Sequence, residues 1–470
     1  MPWHYSARVF CLILVLVVSA CQSPTETSVV TPPTPAFHLD TLQKRTFHYF
    51  WDLAHPENYQ IPDRYPTKNF SSIAATGFGL TTYIIGAENG WITREQAAQR
   101  VARTLELLWN LPQGPDKEGV SGHRGFFYHF LTTEQALRYR QVELSTIDTG
   151  LLMAGVLSAM SYFDAANATE KAIRRRADQL YRRVEWSWAL NEQNRLSMGW
   201  HPEQGFIPHD WQGYNEAMIL LILAMGSPTY PIPASCWETW CSTYEWATFY
   251  GYPHVNFEPL FGHQYSHMYI DFRNIQDDYM REKGIDYFEN SRRATLANRA
   301  YCIDNPKQFK GYDDWSWGLT ACDGPAQEKR RYKGQDILFH KYSARGASAQ
   351  RIIDDGTIAP TAAGGSLPFA PEVCIPTLEY FWSTHPDSLV REYGFADAFN
   401  LTYTWGAGNA RGWFDPDYIG IDQGPIVIQI ENYQTELIWN IMKQNPYVQN
   451  GLRKAGFQGG WLDDTENDRS

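Results

Sequence analysis

Three stretches of the chain set a carboxylate at the start of a strongly apolar run. Ser145-Thr-Ile-Asp148-Thr-Gly150 precedes LLMAGVLSAM, and Trp211-Gln-Gly-Tyr214-Asn215-Glu216 leads into AMILLILAM. Asp415-Pro-Asp417-Tyr-Ile-Gly-Ile-Asp422-Gln-Gly-Pro425 opens a third run that carries Glu431 inside it. Acids at helix starts have an ordinary use. Ser145 and Asp148 read as N-cap and N3, and Glu216 as an acid satisfying the helix dipole. Their other use is glycosidic bond cleavage, in which one carboxylic acid protonates the leaving oxygen and one carboxylate activates water or attacks carbon. The helix dipole lowers the pKa of Glu216, the wrong direction for a proton donor. An acid role there requires burial or a second carboxylate close by.

Flat rings and hydrogen-bonding side chains surround these acids. Trp211 and Tyr214 flank Glu216, and Trp405, Trp413 and Tyr433 flank Asp422 and Glu431. Phe261-Gly-His263-Gln-Tyr265-Ser-His267-Met-Tyr269-Ile-Asp271-Phe-Arg273 is dense in polar rings. His263 and His267 are spaced i, i+4, but no Glu sits at the metalloprotease position, so no metal is expected, and the same residue types bind polyhydroxylated ligands. The stretch TAAGGSLPFAPE (361–372) reads as another pocket-forming loop. No GxSxG, P-loop or GxGxxG motif occurs, and no cofactor is expected. The chain has 470 residues with 18 Trp, 28 Tyr and 24 Phe, 15% aromatic. That content means a large core, a ring-lined cleft, or both. A net charge of −12 argues against nucleic acid or an anionic membrane surface as the main partner.

The elements that must position these groups are helical. Leu42 to Leu53 opens one helix; Thr93 to Leu111 is amphipathic with a capping-box start at Thr93 and Gln96; Thr169 to Leu190 and Cys236 to Tyr250 are amphipathic in turn. Apolar starts near 76, 148, 216, 287, 361 and 425 recur at similar spacing. Six helical hairpins of this kind predict a closed ring, with all-apolar helices inside and amphipathic helices outside. The segments before the inner helices then gather at one end as a polar, aromatic cleft. Residues 302–357 form a long connection with few helical signals, a candidate to block one end of that cleft.

The first residues are an address. A basic lead, the apolar run Val9 to Ala20 and then Cys21 read as a signal peptide over 1–20, and Val18-Ser-Ala-Cys21 as a lipobox with Cys21 lipidated. Gln22 after the Cys fits an outer-membrane lipoprotein. Residues 21–38 read as a Ser/Thr/Pro-rich tether, and 39–470 as the catalytic domain. The expectation is a monomer in the bacterial cell envelope, on the membrane only through its lipid. Of the five Cys in the body, Cys302–Cys322 or Cys236–Cys241 are candidate disulfides.

TIDTGLL, GYNEAMILLILAMGSP, FGHQYSHMYIDFR, TAAGGSLPFAPE and IDQGPIVIQIENYQT, in this order, resemble the glucoamylase-like domain of glycoside hydrolase family 144. The resemblance covers roughly residues 40–460. It implies an all-α (α/α)6 barrel with long loops at the active-site end, and inverting hydrolysis of β-1,2-glucan, by endo cleavage or sophorose release. By the same resemblance Glu216 is the general acid and Asp148 or Asp422 the base, with an oligo- or polysaccharide as partner. A glycan-binding lipoprotein without catalysis, or a hydrolase or transglycosylase acting on another glucan, would carry many of the same features.

Overall fold

The computed structural model describes residues 36–467; the signal segment, Cys21 and the tether up to residue 35 lie outside the described residues. Outer helices alternate along the chain with inner segments. The first three pairs are α1 (Leu39–Asp52) with α2 (Ile73–Glu88), α3 (Arg94–Asn110) with α4 (Thr146–Tyr162), and α5 (Ala168–Arg183) with α6 (Ala217–Gly226). The fourth pairs α7 (Ser235–Cys241) with two 3-10 turns, Leu260–His263 and Ser266–Met268. After the short α8 (Asp278–Lys283), α9 (Tyr287–Asp304) pairs with α10 (Pro360–Gly364), and α11 (Pro371–Thr384) with α12 (Gly420–Gln434). Then α13 (Leu437–Lys443), α14 (Pro446–Lys454) and α15 (Gly460–Asn467) follow, with α14 laid against α6.

The inner segments close a ring. α2 packs on α4, α4 on α6, α10 on α12 and α12 back on α2, while the turn Ser266–Met268 touches both α6 and α12. Gln264 ties the fourth segment to the fifth through Ala362 O (3.0 Å) and Ser366 Oγ (2.8 Å). The result is the expected (α/α)6 architecture. A helix surrounded by neighbours needs apolar residues on every face. All ten residues of α6 are accordingly buried, as is α2 from Ile73 to Gly86. The outer helices carry one apolar stripe: α3 buries Ala97, Ala98, Val101, Leu105 and Leu108 and turns its charges outward. Its capping box forms as read, with Thr93 and Gln96 bonding each other's backbone. The tightest contact in the ring is α2 on α4. A Cβ on Gly155 would meet Gly77 O at 2.0 Å, and one on Gly77 would meet Leu151 O at 2.6 Å, so glycine is what allows these two backbones to touch.

Four sequence expectations change. The fourth inner segment begins at Leu260, and the stretch from 287 is the outer helix α9, with Arg292, Arg293 and Arg299 turned outward. Even spacing of the starts misplaced it, because the true inner segment is rich in His and Tyr and does not read as an apolar run. The amphipathic stretch 236–250 is helical only to Cys241. It then forms the hairpin Trp246–Phe249 with Tyr252–Val255, turned by Tyr250 and Gly251 at φ 46° and 85°. Thr169–Leu190 likewise ends as a helix at Arg183 and continues as a 3-10 turn over Trp186–Ala189. The five Cys are free. Cys236 and Cys241 stand five residues apart in one helix and so project from different faces, and Cys322 Sγ faces Arg345 Nη1 at 3.5 Å instead of Cys302. The connection 302–357 is ordered by three short antiparallel ladders, the longest pairing Glu328–Tyr332 with Gln335–Phe339. Among the described residues no helix is long and apolar enough to cross a membrane.

Candidate active site

Because inner segments run in one direction, their N-termini and the loops feeding them share one end of the barrel. Glu216 ends the loop 184–216 immediately before α6. Asn215 does the capping: its Oδ1 accepts the Ala217 N–H at 3.0 Å. That leaves the Glu216 carboxyl free, with Oε2 shut off from solvent and without a hydrogen-bond partner. Burial pushes this carboxyl up to about 7; a backbone N–H opposes the rise and the charge of Asp148 adds to it. The dipole objection is thus outweighed by desolvation, as an acid role requires.

Asp148 sits beside it in the first turn of α4. Ser145 caps this helix, accepting the Asp148 N–H at 3.2 Å and donating its hydroxyl to the Asp148 carboxylate. Burial raises the Asp148 pKa, and His129, with Nε2 3.5 Å from Asp148 Oδ1, opposes that rise. Trp211 Nε1 donates to Thr146 Oγ1 at 2.9 Å, fixing the indole at the same helix start.

On α12, three inner positions round the ring from α6, Asp422 occupies the first turn and is 2% exposed. Its carboxyl acts on that of Asp397 and the two titrate together; burial pushes Asp422 up to about 8 and Asp397 well above the carboxylate range. Asp323, Asp397 and Asp415 each bring an oxygen within 4.8 Å of the others. Arg64 partly offsets this charge, reaching Asp323 at 2.6 Å, Asp63 at 3.1 Å and Asp417 at 4.0 Å. Tyr265 lies between the two walls. Its hydroxyl donates to Ile421 O at 3.1 Å, and Asp422, Glu216 and Asp148 all act on it electrostatically. Tyr342, 47% exposed, stands near Asp422, Asp397 and Asp63.

The structure therefore gathers Glu216, Asp148, Asp422, Trp211 and Tyr265 and sets the other sequence candidates apart. Tyr214 is buried in an aromatic cluster, its ring stacked 5.8 Å from Tyr287. His263 and His267 are core side chains bonded to Phe257 O (3.2 Å) and Ser291 Oγ (3.0 Å); burial lowers both pKa values, that of His267 to about 3. Asp271 is held by Arg273 and Lys443, each at 2.7 Å. Glu431 accepts from Gln43 (2.8 Å), Asn89 (2.9 Å) and Thr435 (2.7 Å). It lies nine residues along α12 from Asp422, about 13 Å by the helix rise, and Tyr433 shares that far end, 40% exposed. Trp413 packs on Cys322, Ala359 and Ala398, and Trp405 on Phe339 and Tyr403. Sequence reading missed His129, Glu143, Asp397 and the Asp63–Arg64 pair. The lone acid in Phe395-Ala-Asp397-Ala-Phe399 was the one local signal, a charge inside an apolar segment.

An (α/α)6 barrel that gathers acidic and aromatic side chains at the N-terminal ends of its inner helices defines a class of carbohydrate-handling fold, and comparison with known proteins narrows it. The Glycoamylase family model, described as "putative glucoamylase", matches residues 208–446, just over half of the chain. The chain belongs to this family, which agrees with the resemblance to glycoside hydrolase family 144. It is 32% identical over 467 residues to an exo β-1,2-glucooligosaccharide sophorohydrolase (non-reducing end) of Parabacteroides distasonis, covering 92% of this chain and 60% of that relative. An endo-β-1,2-glucanase of Chitinophaga pinensis, solved with sophorotriose and glucose, superposes with TM-score 0.77 at 31% identity, covering 91% of this chain and all of that one. A β-1,2-glucanase of Parabacteroides distasonis gives 0.76 at 30% identity, covering 89% and 59%.

Proposed function

We propose that the chain is a glycoside hydrolase that cleaves β-1,2-glucan with inversion, Glu216 acting as general acid and Asp422 as general base. The observation that carries this reading is the opposition of the two carboxyls across the ring. Glu216 is half-buried, with its Oε2 shut off from solvent and unpartnered, and desolvation pushes its carboxyl up to about 7. Asp422 is on the facing inner helix, and Tyr265 lies between them. Inversion needs acid and base on opposite faces of the sugar with room for a water, which facing helices provide and the neighbouring Asp148 does not. The named activities of the relatives support the substrate. Incubation with linear β-1,2-glucan should release short β-1,2-linked glucooligosaccharides whose new reducing ends form as the α-anomer. Release from starch or laminarin but not from β-1,2-glucan would sink the substrate, and an initial β-anomer would sink inversion. Product sizing separates endo cleavage from sophorose release, for which the ladder 328–339 and Tyr342 are the structural candidates.

The same reading places the enzyme in the cell envelope as a monomer anchored through lipid on Cys21. Its support is the apolar run followed by Val-Ser-Ala-Cys and a Ser/Thr/Pro-rich tether. A Cys21→Ser variant should then leave the membrane fraction for the soluble one; an unchanged distribution on fractionation would exclude a lipid anchor at this residue.

A further inference from the structure

His129 was not among the sequence candidates and no step above uses it. Its position is set by the backbone: its N–H donates to Glu143 O at 3.0 Å and its carbonyl accepts from Ile73 N at 3.3 Å, where α2 begins. Its ring, stacked on Phe130 with centroids 3.8 Å apart, points one nitrogen at each of two carboxylates. Nδ1 is 2.8 Å from Glu143 Oε1 and Nε2 is 3.5 Å from Asp148 Oδ1. A neutral imidazole has a single N–H and can donate to one of these; the imidazolium donates to both.

We propose that His129 is a positioning residue for proton transfer: as an imidazolium clamped between Glu143 and Asp148, it keeps Asp148 anionic beside Glu216 and so keeps the reacting proton on Glu216. This rests on Glu216 as the acid. The groups that face His129 are Glu143 from the loop before α4, Asp148 from α4 and Asp63 from the loop before α2; Glu143 in turn faces His201. Burial opposes the imidazolium charge, and the carboxylates overcome it, pushing the His129 pKa up to about 9. The same pairing holds Glu143 below the usual carboxylate range despite burial. Of the influences that favour the ionised form of Asp148, His129 is the largest, ahead of the Ser145 hydroxyl and a backbone N–H. Its charge is one of the two influences that raise Glu216.

The sign of the effect follows. Without the imidazolium, Asp148 takes up a proton more readily. A neutral Asp148 no longer opposes ionisation of Glu216, so Glu216 loses its proton at lower pH. His129→Gln is expected to move the basic limb of the kcat/KM profile to lower pH by roughly half a unit or more. His129→Lys, which restores a cation, should bring the limb part of the way back. A structural role alone would lower the rate evenly across pH. An unmoved limb in His129→Gln, in protein whose circular dichroism and melting temperature match the wild type, would overturn the proposal.

A second readout does not need activity. Histidine NMR of the whole protein should show His129 titrating well above the ordinary value near 6.5, and Asp148→Asn and Glu143→Gln should each bring it down. A wild-type midpoint at or below 6.5 would overturn the clamp whatever the substrate. A normal clamp in an enzyme inert on β-1,2-glucan would overturn the functional reading instead.

Discussion

Glu216→Gln is expected to lower turnover of β-1,2-glucan by at least ~10²-fold, and up to ~10⁴-fold, the range for removing a general acid. That loss corresponds to about 3–5 kcal/mol of transition-state stabilisation. The amide keeps the size of the acid and its place at the start of α6, where Asn215 carries the capping bond, so the fold and oligosaccharide binding should survive. Two further measurements assign the loss to proton donation. The wild-type profile should fall on the alkaline side as Glu216 gives up its proton, and the variant should lack that limb. Aryl glycosides with good leaving groups need little protonation, so the variant should retain far more activity on them than on glucan. An equal loss on both substrates would place Glu216 in binding.

The residues that carry this prediction were visible in the sequence because an inner helix of such a barrel is apolar on every side, which makes the polar residues just ahead of it conspicuous. Asp148, Glu216 and Asp422 all stood out that way, and all three lie in the first turn or at the cap of their helices. Local capping chemistry was legible too, at Ser145 as at Thr93. Two things were hidden. One was which end of a buried helix faces the cleft: Glu431 looked functional as a charge in an apolar run, but it lies at the far end, satisfied by Gln43 on α1 and Asn89 at the end of α2. The other was every pairing between loops. Arg64 meets Asp323 across 259 residues of chain, and Asp397 reaches Asp422 from a different loop. No periodicity encodes such contacts. They arise because six loops converge at one end of the ring, and they set the ionisation of the groups that the sequence does reveal.

Asp422→Asn is the second large effect. Loss of the group that activates water should again cost ~10²-fold or more, whereas Asp148→Asn should cost less, since Asp148 adjoins the acid on the same wall and acts on it through charge. Asp422 is raised to about 8 and Glu216 to about 7, so the active form, with the base ionised and the acid protonated, is a minor fraction that peaks between the two values, and the base's share of the profile belongs to the Asp422–Asp397 pair. The backbone decides what Asp397→Asn does. Asp397 Oδ2 accepts the Asp323 N–H at 2.7 Å. The amide oxygen of Asn keeps that bond, and its nitrogen then faces Asp422 as a donor. A donor that cannot ionise stabilises the Asp422 carboxylate at every pH and removes the competing acid. Asp397→Asn should therefore move the acid limb to lower pH and keep appreciable activity, and Asp397→Ala, with no donor, should not reproduce that shift. Should Asp422→Asn instead keep more than about a tenth of wild-type turnover while Asp148→Asn abolishes it, the base would be Asp148, on the same side as the acid, and the facing-helix account of inversion would fall with it.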